Sequence, residues 1–138
     1  MTDRSWVSCE HDPDMLPPLP NDKCDVRRAA ALVACGYPAV EPVLPRLLEW
    51  IQDGNWPVAR VLAPFLATVD AALVPHAQRI LNGDDDTWKY FLVQDVVAKS
   101  AELAVLLHPD LERLARFATE GEAAEGLPLM AAALLPEA

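Results

Sequence analysis

Four aromatic residues, Trp50, Trp56, Trp88 and Tyr90, stand beside two short polar loops, "QDGN" at 52–55 and "DDDT" at 84–87. Large flat side chains next to carboxylates suit recognition of a partner. Aromatics carry much of the energy of binding hot spots, and carboxylates select a cationic surface. Asp53, Asn55, Asp84, Asp85 and Asp86 complete this candidate binding set. The competing reading is local: the acids cap helices and favour the positive helix N-terminus, while the tryptophans staple each helix start to what precedes it.

Other chemistries find less support. The serines Ser5, Ser8 and Ser100 sit in no nucleophile-elbow motif, and the five glycines form no phosphate-cradling loop. Cys35 lies in the apolar run "ALVACG", which reads as a small buried residue before it reads as a nucleophile awaiting a distant histidine. Cys9, His11 and Cys24 make a loose C-x-H…C set without the fourth ligand or the paired spacing that zinc requires. His76 and His108 lack a third ligand, and the run Asp84–Asp86 lacks the calcium-loop pattern. No catalytic residue, metal site or cofactor is assigned. Arg60, Lys89, Lys99 and Asp95 either face a groove or form an ordinary solvated face.

The candidate residues need elements to hold them. With 138 residues, 52% of them hydrophobic, the chain can bury a core. Residues 1–22 differ from the rest: Pro13, Pro17, Pro18 and Pro20 prevent a helix and predict an irregular arm, with Met15, Leu16 and Leu19 as docking residues. Residues 23–138 form the second segment, and its pattern is helical. "CDVRRAAALVACG" carries Val26, Ala29, Ala30 and Val33 at helical spacing and stops at Gly36. Val40, Val43, Leu44, Leu47, Leu48 and Ile51 follow an i, i+3, i+4 stripe, and Val58, Val61, Leu62, Phe65, Leu66 and Val69 repeat it. Strand-like alternation is missing.

A register links these stripes. Trp56 and Trp88 lie 32 residues apart, each following a candidate cap, Asn55 or Thr87, with Asp86 a second candidate before the later helix. Pro45, Pro75 and Pro109 recur at 30 and 34 residues, each near the start of a second helix, where a missing N–H costs little. A period in the low thirties with two helices per unit marks an α-solenoid. The expected fold is all-α: a right-handed, HEAT-like α-solenoid of about three helical pairs, near 24–52, 56–82 and 86–118. Pro64 kinks the first helix of the middle pair. Equivalent positions for Trp56 and Trp88 would set the two acidic loops side by side on one rim. Leu47, Leu62, Phe65, Leu66 and Val96 are expected in the core.

The strings "GYPAVEPVLPRLLEWIQDGNWPVA", "LVPHAQRIL" and "DDDTWKY" resemble a bacterial family, domain of unknown function 5071. The resemblance covers roughly residues 20–120 and implies a small HEAT-like helical domain, with no catalytic residue to carry over. The family's charged final helix is not matched by "TEGEAAEGLPLMAAALLPEA", where Gly126 and Pro128 interrupt.

Charge narrows the partner. Eleven Lys and Arg against 21 Asp and Glu give a net charge of −10, which disfavours nucleic-acid backbones and anionic membranes and favours a basic protein. The N-terminal "MTDRSWVSCE" has no secretory character, no segment reaches a bilayer-spanning length, and three cysteines fit a reducing compartment without disulfides. A cytoplasmic location follows. The favoured function is a non-catalytic protein-interaction module that binds a basic partner through an acidic and aromatic solenoid edge. An immunity or antitoxin-like inhibitor of a toxin is the alternative, and an enzyme is the least favoured class.

Overall fold

Prolines decide where many of the helices begin. α2 (Leu44–Glu49), α4 (Val74–Leu81), α7 (His108–Arg116) and α9 (Leu127–Leu134) each start one residue before a proline: Pro45, Pro75, Pro109 and Pro128. At that position the missing N–H would have no intrahelical partner, and the fixed φ suits the first turn. The structure, a computed structural model, describes residues 16–136. Among them are nine α-helices, short 3₁₀ turns and no strand. The all-α expectation holds. Most of the arm expected over residues 1–22, Met15 included, lies outside the described residues; Leu16 to Pro20 carry no helix, with Leu16 and Leu19 half-buried and Pro20 buried.

The chain divides into two compact units, one through Phe65 and one from Leu66. In the first, α1 (Val26–Cys35) starts where the Asp25 carboxylate accepts the Arg28 N–H at 3.3 Å. It stops at Gly36, whose φ of 74° is cheap only for glycine. Its inner face is Ala29 and Leu32, while Val26, expected on that face, is 41% exposed. The second stripe is interrupted by 3₁₀ turns at Glu41–Val43 and Trp50–Gln52 around α2, yet Val40, Leu44, Leu47, Leu48 and Ile51 are all buried. α3 (Pro57–Leu66) continues through an exposed Pro64, which leaves the Arg60 carbonyl without its helical donor.

Four of the five expected core residues, Leu47, Leu62, Leu66 and Val96, are fully buried, but Phe65 is only half-buried. The reason lies in the small residues of α3. Ala59 and Ala63 are buried beside Val58 and Leu62, which turns the inner face away from Val61 and Phe65. Cys35 also departs from expectation: it is disulfide-bonded and half-buried, whereas Cys24 is free and exposed.

In the second unit a 3₁₀ turn at Asp70–Leu73 leads into α4, followed by α5 (Asp86–Asp95), a 3₁₀ turn at Val97–Lys99, α6 (Ala101–Leu106), α7, α8 (Glu120–Ala124) and α9. Asp70 takes a positive φ of 64°, and its carboxylate accepts the Ser100 hydroxyl at 3.4 Å. Ser100 also caps α6 by accepting the Leu103 N–H. The C-terminal helix, where Gly126 and Pro128 were read as interruptions, is present. Gly126 supplies a left-handed N-cap (φ 79°), Pro128 begins the helix, and Leu127 and Ala131 are fully buried. α9 packs chiefly on α7 and also on α5 and α8.

Leu62→Ala should therefore cost ~2–5 kcal/mol in chemical denaturation, as a buried leucine truncation does. Phe65→Ala should cost clearly less. The reverse order would place the inner face of α3 where the aromatic is.

Candidate functional site

Each acidic loop turns its own chain before it can do anything else. In the first unit the Asp53 carboxylate accepts the Asn55 N–H at 2.9 Å and its carbonyl accepts the Trp56 N–H at 3.1 Å. α3 then starts at Pro57, and the Trp56 carbonyl accepts the Arg60 N–H, so Trp56 and not Asn55 occupies the capping position. Trp50 and Trp56 meet edge-to-face with centroids 5.9 Å apart, and both are half-buried. In the second unit the cap is Asp85, one residue ahead of the expected Asp86 or Thr87; its carboxylate accepts the Trp88 N–H at 3.0 Å. Asp84, Asp85 and Thr87 are exposed, and Trp88 is half-buried. The Tyr90 hydroxyl donates to Gln94 Oε1 at 2.7 Å, and its ring stands edge-on to Phe91.

The strongest electrostatic feature lies below the second loop, at a residue assigned only to a groove or a solvated face. Lys89 is 3% exposed and Glu122 is 1% exposed. The Lys89 ammonium donates to Glu122 Oε2 at 2.6 Å and pairs with Asp86 Oδ1 at 2.9 Å. Arg113 approaches the same carboxylate as a fork: Nη1 to Oε1 at 3.1 Å and Nη2 to Oε2 at 2.9 Å. Nη2 also reaches the Leu81 carbonyl. Glu122 Oε1 further accepts the Thr119 N–H while the Thr119 hydroxyl accepts the Glu122 N–H, a capping box that starts α8. Two cations and two carboxylates thus cancel, and all four acceptor positions of Glu122 are filled. Removing two charges from water is costly, and only such complete pairing offsets it.

The proton affinities follow. The Arg113 hydrogen bonds hold the Glu122 carboxyl down at about 2 against an ordinary 4.5; burial opposes this, and Lys89 and the Thr119 N–H reinforce it. Burial by itself would lower the Lys89 pKa, but the hydrogen bonds to Glu122 and Asp86 outweigh it and the net direction is upward. Lys89 is therefore a held ammonium, the opposite of an activated amine nucleophile. The only sequence signal for this cluster was the capping-box pattern Thr119-x-x-Glu122; its partners come from α5 and α7.

Concavities flank these elements. One, of about 340 Å³, borders the cluster and includes Asn82, Gly83 and Asp84 in its wall. Another, of about 680 Å³, is apolar and is formed by Val97, Ala101, Ala104, Val105 and Leu134, with Ser100 and His108 among its few polar residues. Among the described residues no group of three His, Cys, Asp or Glu is arranged to hold a metal ion, and no helix is long and apolar enough to cross a membrane.

Among the described residues these features define an all-helical chain whose second unit is built on a buried ion cluster. The chain belongs to the family of the domain of unknown function DUF5071, whose model matches residues 18–135. A comparison with curated proteins finds no match.

The depressed pKa of Glu122 sets an acid limit. A group whose folded-state pKa lies below its unfolded value stabilises fully above the unfolded value and loses that contribution as pH falls through the folded one. The stability of the parent should thus decline from about pH 4.5 toward pH 2, by about 3 kcal/mol from this group. Glu122→Gln should remove that component and cost ~3–5 kcal/mol at neutral pH, because it leaves buried cations underpaired. Urea titrations of both proteins across that pH range measure it.

Gly121 provides a second check. A Cβ there would stand 2.2 Å from Asp86 Oδ2, and Asp86 is anchored by Lys89. Gly121→Ala should destabilise, although helix propensity alone would gain ~1 kcal/mol. In an Asp86→Ala background the same substitution should stabilise, a coupling that a double-mutant cycle reads directly.

Proposed function

We propose that the protein is a non-catalytic protein-interaction module that binds a basic protein partner through an acidic and aromatic edge of a short HEAT-like solenoid. One observation carries the reading. In the second unit the Thr87 hydroxyl donates to Glu125 Oε2 at 3.1 Å and Gly121 lies against Asp86, so both ends of α8 meet the "DDDT" segment. Glu120 and Glu125 therefore join Asp84, Asp85 and Asp86 on one surface, beside the half-buried Trp88. The nearest cation, Lys89, is turned inward and spent on Glu122 and Asp86. What remains outside is negative. Such a surface speeds encounter with Lys- and Arg-rich proteins and repels acidic ones. The chemistry of two side chains agrees: Ser100 is a cap and Lys89 is a held ammonium.

Pull-down from the source cells with mass-spectrometric identification, using the parent and the Asp84→Asn/Asp85→Asn/Glu125→Gln variant, tests the proposal. Asparagine retains the cap at position 85, so the variant should melt close to the parent. The parent should retain a basic protein and release it above ~0.5 M salt, where exposed charges are screened within a few ångströms. The variant should lose that protein. Equal retention by both, with equal salt dependence, overturns the assignment, and an added Asp53→Asn arm measures the share of the first loop.

A further inference from the structure

α8 is bound to its unit in an unusual way. Of its five residues Glu120, Gly121, Ala123 and Ala124 are exposed, and the one buried side chain is the carboxylate of Glu122. A helix this short has no stability of its own. The two backbone-to-side-chain hydrogen bonds that close its capping box join it only to its own N-cap, Thr119. Its side-chain hold on the underlying helices is thus ionic, through Lys89 and Arg113, with the single outer contact from Thr87 to Glu125. Gly126, with φ 79°, follows the C-cap Glu125 and separates α8 from α9, which is anchored by the buried Leu127 and Ala131.

The receiving side is built as a carboxylate receptor. Arg113 presents both terminal nitrogens to the two oxygens of one carboxylate, the planar fork geometry that gives such pairs their specificity. Its guanidinium is oriented from behind by the Leu81 carbonyl at 3.1 Å. Lys89 adds a desolvated ammonium fixed by Asp86. The concavity of about 340 Å³ already opens onto these groups, and Arg113 is one-third exposed within it. Without the Glu122 side chain, Lys89 and Arg113 against Asp86 leave one net positive charge facing that space.

We propose that Lys89 and Arg113 form a carboxylate-binding site for which Glu122 is the resident internal ligand, and that α8 is an ionic latch that opens locally to admit a carboxylate from outside. The external ligand is a carboxylate-bearing small molecule or an acidic peptide group; both present the same two oxygens to the fork. The latch shares α8, Asp86 and Glu125 with the acidic surface proposed for partner binding, but its ligand meets the inward cations and not the outward carboxylates. Opening breaks charge-assisted contacts and almost no apolar ones, so it is favoured by salt, unlike unfolding of the apolar core.

Two measurements test it. Native-state hydrogen exchange on the parent should show the amides of residues 122–126 opening well before those of α5 and α7, and faster in acetate than in chloride at equal ionic strength. Exchange of α8 only together with α5 and α7, or indifference to acetate, overturns the latch. Glu122→Ala leaves the receptor empty, and acetate or formate should then raise its melting temperature saturably by several degrees over chloride at matched ionic strength, with no such rise in the parent or in Glu122→Ala/Arg113→Met. Inorganic phosphate is the comparison anion: a larger rise with phosphate than with acetate would overturn the carboxylate assignment. A Glu122→Ala protein that melts identically in all these salts overturns the site itself.

Discussion

The second unit depends on a single carboxylate. Glu122 is buried as deeply as the core leucines, yet it is charged, and four donors from three residues, Lys89, Arg113 and Thr119, surround it. The constraint runs outward from there. Lys89 must be buried to reach it, Asp86 must sit in the first turn of α5 to balance Lys89, and Gly121 must lack a side chain so that Asp86 can approach. Arg113 ties the C-terminal turn of α7 to the last carbonyl of α4 through Leu81. A polar cluster of this kind is all-or-nothing: complete, it fixes one arrangement of helices, and short of one partner it leaves an uncompensated charge in a low-dielectric site.

In each unit the apolar core is assembled from short helices with well-marked ends. A helix of six to ten residues gains little from propensity, so its boundaries and its inner face carry the specification. Side chains supply several starts, Asp25, Asp85, Ser100 and Thr119, and a proline in the first turn marks five others. The inner faces are leucine-rich, from Leu32 and Leu44 in the first unit to Leu103, Leu111 and Leu127 in the second. Alanine at Ala29, Ala59, Ala77 and Ala131 lets other elements approach closely.

The inward neutralisation of Lys89 and Arg113 also governs the outer surface. A chain with 11 basic and 21 acidic residues has few cations to spend. Pairing two of them with Glu122 and Asp86 leaves Asp84 and Asp85 at the start of α5 without these cations as partners. The same arithmetic that stabilises the fold thus shapes the partner that the surface can attract.

The amino-acid sequence by itself determined the all-helical class, the family and several helix ends. The reason is that those signals are local: a proline starts a helix wherever it falls in the first turn, Gly36 ends one, and an i, i+3, i+4 stripe needs only its own residues to be recognised. Even α9 carried the same Leu-Pro start as α4 and α7 read through Val74-Pro75 and His108-Pro109, and it was obscured only because Gly126 and Pro128 were taken for breakers rather than a cap and a first turn. Tertiary structure decided the rest. Whether Phe65 or Ala63 faces inward depends on how closely another element can approach α3, which no periodicity records. Asp85 took the cap from its neighbours because Asp86 was needed by Lys89. Lys89, alone on its helix, is indistinguishable from a solvated lysine; it becomes a buried cation only when Glu122, 33 residues later, is folded against it. Long-range charge pairing leaves no local pattern, because each partner is chosen by geometry that only the assembled helices create.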